Sequence, residues 1–221
     1  MSVRGRWRTA AGPVLVAAVV AAVVALGWAR PPSSSLVGTD RLGPDSGEPV
    51  AAYLDRAHDS LPGGDTGPRW ALVTFRTGLS TGAVVNAVAG LRISQVLYHV
   101  PIDRVYTPVI TVPVPAGEAA LRAAQPAAAG AMDHVVTDDD RSRRIAGVLA
   151  ARLHEGCACV VNLVVRGSLA QLRGLMSHAD VRSVQALPAD ASAGTFAVLP
   201  LLPEQVDTVV PGPDDGAVPA P

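Results

Sequence analysis

Lysine is missing altogether: all 18 basic residues of the 221 are arginine. Together with abundant Ala, Val, Gly and Pro, that is the residue choice of a GC-rich, bacterial genome, and it carries no function. Aromatic residues make up only 4% of the chain. Beyond Arg4, Arg6, Arg8 and Arg30, 14 arginines face 19 carboxylates, which leaves the rest of the chain near −5. A mildly acidic, aromatic-poor surface lacks the basic patch that nucleic-acid binding requires. It equally excludes electrostatic attachment to anionic lipid. Cysteine is scarce as well, with two in the whole chain. Neither lies near the end of the one long apolar run, which excludes a lipid-modified amino terminus, and no C-x-x-C redox pair can be formed from them.

What the chain does have is an uncharged stretch over residues 9–29, TAAGPVLVAAVVAAVVALGWA. At about 1.5 Å per residue it spans roughly 31 Å as a helix, the thickness of a bilayer's hydrocarbon core. Trp7 and Trp28 bracket it, where amphipathic rings favour the headgroup layer. Arg4, Arg6 and Arg8 precede it and only Arg30 immediately follows. The positive-inside rule therefore predicts a cytoplasmic amino terminus and an extracytoplasmic remainder. The rival reading is a cleaved signal peptide, with Gly27 and Ala29 serving a peptidase. The run is longer than the usual signal core of about 7–15 residues, which favours a retained anchor. Both readings place the rest of the chain outside the cytoplasm, in a cell-membrane or envelope setting.

The expected organisation is a cytoplasmic segment 1–8, an anchor 9–29, a flexible linker 30–47, an α+β domain 48–188 and a Pro/Gly-rich disordered tail 189–221. Within the domain, Val50, Tyr53, Leu54, Ala57 and Leu61 recur at helical spacing, with Asp45 or Ser46 as cap. Residues 70–75, 93–100, 159–165 and 181–187 read as strands, and 109–114, interrupted by prolines, as an edge strand at best. A short helix over 118–125 is expected to end at Pro126. A longer one from about Asp138 to Glu155 is expected to start with a Thr137–Asp140 capping box and to end at Gly156. Two strand–cap–helix–strand units stand about 90 residues apart, near Ser80 and Ser168. They predict an exported α/β sandwich of the split-βαβ, ferredoxin-like kind with 105–156 as a long insertion, another α/β sandwich being the alternative. That fold hosts many functions and indicates none.

Candidate chemistry is sparse. Gly78-Leu79-Ser80-Thr81-Gly82 is a G-x-S-x-G between a strand and a helix, the setting of a nucleophile elbow. Ser80 would be the nucleophile, with Asp133 and His134 or His178 and Asp180 as partners. An elbow normally follows several strands, however, and no oxyanion-loop motif exists, so a helix-capping Ser80 is the simpler expectation. His154-Glu155-Gly156-Cys157-Ala158-Cys159 offers zinc-ligating residue types at too tight a spacing. An exported pair is expected as a Cys157–Cys159 disulfide, with two buried thiols or a metal or redox site as alternatives. On a regular strand their Cα atoms would stand about 6.5 Å apart, so the chain must bend there. His58 and His99 read as packing or surface residues, and Asp138, Asp139 and Asp140 as a helix's first turn. No catalytic, cofactor-binding or metal site is assigned. The expected function is a membrane-tethered, non-enzymatic protein-interaction module with a protein partner of unknown identity, and the alternative is a small serine hydrolase using Ser80.

Overall fold

Ala71, Val73 and Phe75 alternate with Leu72 and Thr74 along one extended stretch, and all five are fully buried. A strand buried on both sides must lie inside a sheet covered on both faces. The computed structural model describes residues 40–88 and 90–220. In chain order its elements are β1 (Arg41–Leu42), α1 (Val50–Asp59), β2 (Arg69–Leu79), α2 (Thr81–Ala87), β3 (Arg92–Tyr98), β4 (Ile110–Pro113), α3 (Glu118–Asp133), α4 (Asp140–His154), β5 (Val160–Gly167), α5 (Leu169–Leu175), β6 (Val181–Ala186) and β7 (Ala197–Val198). The fold is mixed α+β around a five-stranded sheet of order β4-β3-β5-β2-β6, in which every neighbouring pair is antiparallel.

In this order β2 and β3 run parallel with β5 between them, and β5 and β6 run parallel with β2 between them. Each of these parallel pairs is joined through one short helix, α2 or α5. Serine starts both helices: Ser80 accepts from the Ala83 N–H, and Ser168 forms a capping box with Gln171. β4 sits at the sheet's edge, where its prolines need no ladder partner on the open side. One face of the sheet, with Val73, Phe75, Val96, Leu163 and Val184, forms the main core with residues of α2, α3, α4 and α5. On the other face, Leu72, Leu97 and Val164 pack with Leu42 and Leu187. There α1 adds Val50, Tyr53 and Ala57 around Leu201.

Several expectations are corrected. Pro126 does not end its helix: α3 continues to Asp133 with the proline inside. The interior proline removes one hydrogen bond and costs about 3 kcal/mol, but Ala128 and Ala129 beyond it are fully buried and α3 packs along α4. Burial of that small-residue face holds the extra turns. The cap of α4 is Asp139, whose Oδ2 accepts from the Ser142 N–H at 2.7 Å, rather than Thr137. Neither Asp45 nor Ser46 caps α1; the Val50 N–H donates to the Asp207 carbonyl at 2.9 Å.

That last bond exposes a larger difference. The carboxy-terminal stretch expected to be disordered is packed on the domain. β7 pairs with β1 in parallel, Leu201 is fully buried, and Gly47 and Glu48 exchange backbone hydrogen bonds with Val209. Arg141 bonds Asp214 and Gly216, and Val218 packs against the main core. The expected linker likewise ends earlier, because Leu42 is buried and the Gly43 N–H donates to Gln185 Oε1. No helix among the described residues is long and apolar enough to cross a membrane. The anchor expected over 9–29, with Arg4, Arg6, Arg8, Trp7 and Trp28, lies outside the described residues.

Candidate functional site

The two motifs that stood apart in the sequence meet at one corner of the fold. The register of β2 against β5 slips between Thr74 and Leu79, a bulge that carries the end of β2 towards the chain entering β5. Gly78 lies there so close to Ala158 that a Cβ would stand 2.1 Å from the Ala158 carbonyl oxygen. Only glycine fits. Ser80 follows in an extended conformation, and its Oγ accepts from the Ala83 N–H at 3.3 Å. Ser80 makes no hydrogen bond to a histidine among the described residues. Asp133 pairs with His154 at 2.8 Å, and the Asp180 carbonyl accepts from the Arg76 N–H.

On the other side of the corner, α4 ends in a two-bond lock. The Gly156 N–H donates to Leu153 O and the Cys157 N–H to Arg152 O, with Gly156 at φ +79°. This is the left-handed termination that glycine favours. The turn brings Cys157 back over Cys159, and the two form a disulfide with Cα atoms 5.3 Å apart. Residue 157 has not yet entered β5, which begins at Val160, so the spacing of a regular strand does not apply. Cys159 is buried and Cys157 half-buried. His154 faces Asp133 rather than the sulfurs.

Gln125 joins the two motifs. Its Oε1 accepts from Thr81 Oγ1 at 2.9 Å, and its Nε2 donates to Leu153 O at 3.3 Å and Cys157 O at 3.1 Å. The same nitrogen reaches Cys157 Sγ at 3.8 Å. Beside Thr81 lies the Tyr98 hydroxyl, fully buried and without a hydrogen bond of good geometry among the described residues. Burial pushes this phenol up to about 12, and the Thr81 hydroxyl offsets only part of that. The corner is thus a chain of neutral polar groups running from a buried phenol through Thr81 and Gln125 to a sulfur.

A cleft of about 320 Å³ opens one helical turn away along α3, lined by Val85, Val88, Leu91, Ile93, Val114 and Leu121, with Arg92 and Glu118 at its rim. A second recess shares Val85 and Glu118 with it and is lined also by Thr81, Gly82, Asn86 and Arg122. Glu118 and Arg122 are ion-paired, and Arg92 donates to Val114 O at 3.0 Å. The cleft's walls come from α2, β3, the turn after β4 and the start of α3, residues up to 36 positions apart, so nothing in the sequence brings them together. The same holds for His99. It lies buried against the carboxy-terminal stretch, with Nε2 2.8 Å from Glu204 and Nδ1 3.5 Å from Thr107. Asp138–Asp140 serve α4: Asp139 caps it and Asp140 pairs with Arg143.

No protein-family model matches this chain, and no curated protein or solved structure is significantly similar to it.

Proposed function

We propose that this chain is a single-pass, membrane-anchored protein whose extracytoplasmic domain binds another protein of the envelope without catalysing a reaction. The observation that carries the reading is the apolar cleft between α2, α3 and β4. The occupant we assign is a cluster of apolar side chains from a partner protein. Pro113 ends β4 and Pro115 follows it, and neither can donate to a ladder, so recognition falls to side chains rather than to strand addition. Arg92 and Glu118 at the rim suit the polar edge that such a contact needs. The apolar run over 9–29 supplies the tether, and the disulfide is in keeping with an oxidising compartment. The split-βαβ, ferredoxin-like assignment belongs to the same proposal. It is supported by the order β3-β5-β2-β6, with β4, α3 and α4 as the insertion. The hydrolase alternative is weakened by Ser80's bond to the Ala83 N–H, which accounts for the hydroxyl as a cap.

Site-specific photo-crosslinking in intact cells tests the interaction. A crosslinker at Val85 of the full chain is expected to give a discrete adduct that Leu121→Arg abolishes. The same probe at Val136, which is almost fully exposed, gives none. Equal labelling at both positions, or an adduct indifferent to Leu121→Arg, overturns the cleft as the contact. Intact-cell protease checks the tether: it should remove the domain from protein that still begins at Met1 or Ser2, whereas a mature start at Arg30 refutes a retained anchor.

A further inference from the structure

We propose that the Cys157–Cys159 disulfide is an exchangeable bond that accepts two electrons from a cysteine pair of another exported protein. As a staple it has little to do. It encloses a single residue, so it removes little chain entropy. Both ends of its loop are held without it, the first by the Gly156 and Cys157 N–H bonds to the end of α4, the second by the ladder of β5. A bond that constrains so little is readily opened without unfolding the domain.

Access and environment give the exchange a direction. Cys157 is half-buried between exposed Gly156 and Ala158, while Cys159 is buried. An incoming thiolate therefore reaches Cys157 Sγ. A new S–S bond forms between that sulfur and the attacker, the Sγ–Sγ bond breaks, and Cys159 leaves as thiolate. The partner's second thiolate then attacks its own sulfur in the mixed disulfide and displaces Cys157 as thiolate. The two protons released by the partner's thiols end on Cys157 and Cys159. The partner's dithiol is oxidised and this disulfide reduced, with no other reagent; repeated turnover takes a disulfide-bearing oxidant. The carboxy end of α4 disfavours negative charge on Cys157, which directs the first departure to Cys159.

In the second step, charge does develop on Cys157, and Gln125 Nε2 stands 3.8 Å from its sulfur. That amide is held in place by the Thr81 hydroxyl on its oxygen and by the Leu153 and Cys157 carbonyls on its nitrogen. The buried, unpartnered Tyr98 hydroxyl beside Thr81 adds a second donor to the same chain. A buried glutamine reaching a sulfur, with a buried tyrosine beside the threonine that holds it, is an arrangement that a purely apolar junction would not need.

That the partner is exported rests on the proposed tether; the exchange itself is a property of the folded protein in solution and is tested apart from the cleft and the anchor, whose tests are done in cells. The experiment is reduction of the purified full chain by a reduced peptide dithiol in non-denaturing buffer, followed by alkylation and intact mass. Complete reduction is expected at a rate independent of added urea below the unfolding transition. Cys159→Ser should then form a mixed disulfide with an oxidised peptide about tenfold faster than Cys157→Ser, as their access differs. Gln125→Leu in the Cys159→Ser background should move the half-alkylation pH of Cys157 upwards. Reduction that occurs only as fast as the domain unfolds, or equal reactivity of the two single-cysteine variants, overturns the proposal. Should a variant fail to fold, the urea dependence of wild-type reduction still decides.

Discussion

The two glycines of G-x-S-x-G have opposite surroundings, and this makes them a sharp test of how the corner is built. A Cβ on Gly78 would stand 2.1 Å from Ala158 O, 3.1 Å from Ala158 C and 3.5 Å from Cys159 Cα. Those are backbone atoms of a chain fixed on one side by the hydrogen bonds that end α4 and on the other by the β2–β5 ladder, so neither can swing away as a flexible side chain would. Relieving the overlap takes more than an ångström of backbone movement. Overpacking costs about 1–3 kcal/mol and occasionally more, and disturbing one ladder hydrogen bond adds about 1 kcal/mol. Gly78→Ala should therefore destabilise the domain by roughly 3 kcal/mol, which lowers the melting temperature by about 6–12 °C for a domain of this size. Gly82 has no atom within 4 Å of its Cβ position and lies in the first turn of α2. Gly82→Ala should stabilise by about 0.5–1 kcal/mol through helix propensity. Urea unfolding followed by far-ultraviolet circular dichroism measures both. A nucleophile elbow requires small residues at both positions; a bulge followed by a capped helix requires one only at the first. A neutral Gly78→Ala, or two equally harmful substitutions, would refute the packing argument.

Four further outcomes follow from single groups. Tyr53 Oη is buried beside Thr74 and Ser183 without a well-formed hydrogen bond among the described residues, so Tyr53→Phe should be neutral or slightly stabilising in urea unfolding. Thr74→Val, in contrast, removes the acceptor of Asn162 Nδ2 at 2.9 Å and should cost about 1–3 kcal/mol. Ser80→Ala should cost about 0.5–2 kcal/mol and Ser80→Gly less, and a fluorophosphonate probe should label neither wild type nor variant; labelling lost in Ser80→Ala would establish a nucleophile instead. Glu204 is partly desolvated, which alone would raise its pKa, but the hydrogen bond and charge of His99 outweigh this and leave it lowered. Its contribution is thus present above the usual glutamate range and lost as pH falls through the lowered value. Stability should decline on acidification below about pH 4.5, and Glu204→Gln should flatten that part of the curve.

Much of the sheet was legible because its signals are local. Short continuous apolar runs mark β2 and β5, prolines confine β4 to an edge, and Ser80 and Ser168 announce helices that each begin one residue later. The repetition of that unit was enough to predict interleaving, since two such crossovers share a sheet readily. What failed depended on partners distant in sequence. Pro126 reads as a stop unless one knows that α4 will cover the alanines beyond it. Asp139 rather than Thr137 caps α4, a difference of two residues that composition cannot resolve. The cleft and the Gln125 bridge are products of the assembled fold, and only the proximity of Ser80 to a helix start hinted at one edge of the corner.

The carboxy-terminal stretch was misread for a reason that reaches back into the sheet. From Pro188 the chain has no periodicity and many Pro, Gly and Asp residues, which is the composition of a tail. Irregular backbone can nevertheless be buried if each carbonyl and N–H finds a partner. Here the sheet supplies some of them: Arg182 donates to Leu202 O and Gln205 O, and His99 pairs with the Glu204 side chain, while Gln185 does the same for the amino-terminal stretch, donating to Arg41 O and accepting from the Gly43 N–H. Together with Thr74, Asn162 and Ser183, these side chains give the outer face of β2, β3, β5 and β6 a polar pattern. Each of these polar groups needs a hydrogen-bond partner, from water or from the chain that covers it. In the fold, Thr74, His99, Asn162, Ser183 and Gln185 are all buried under α1 and the returning chain. Polar alternation on a strand therefore specifies hydrogen-bonding demand rather than solvent. In this protein the demand is met by the stretch that looked least able to fold.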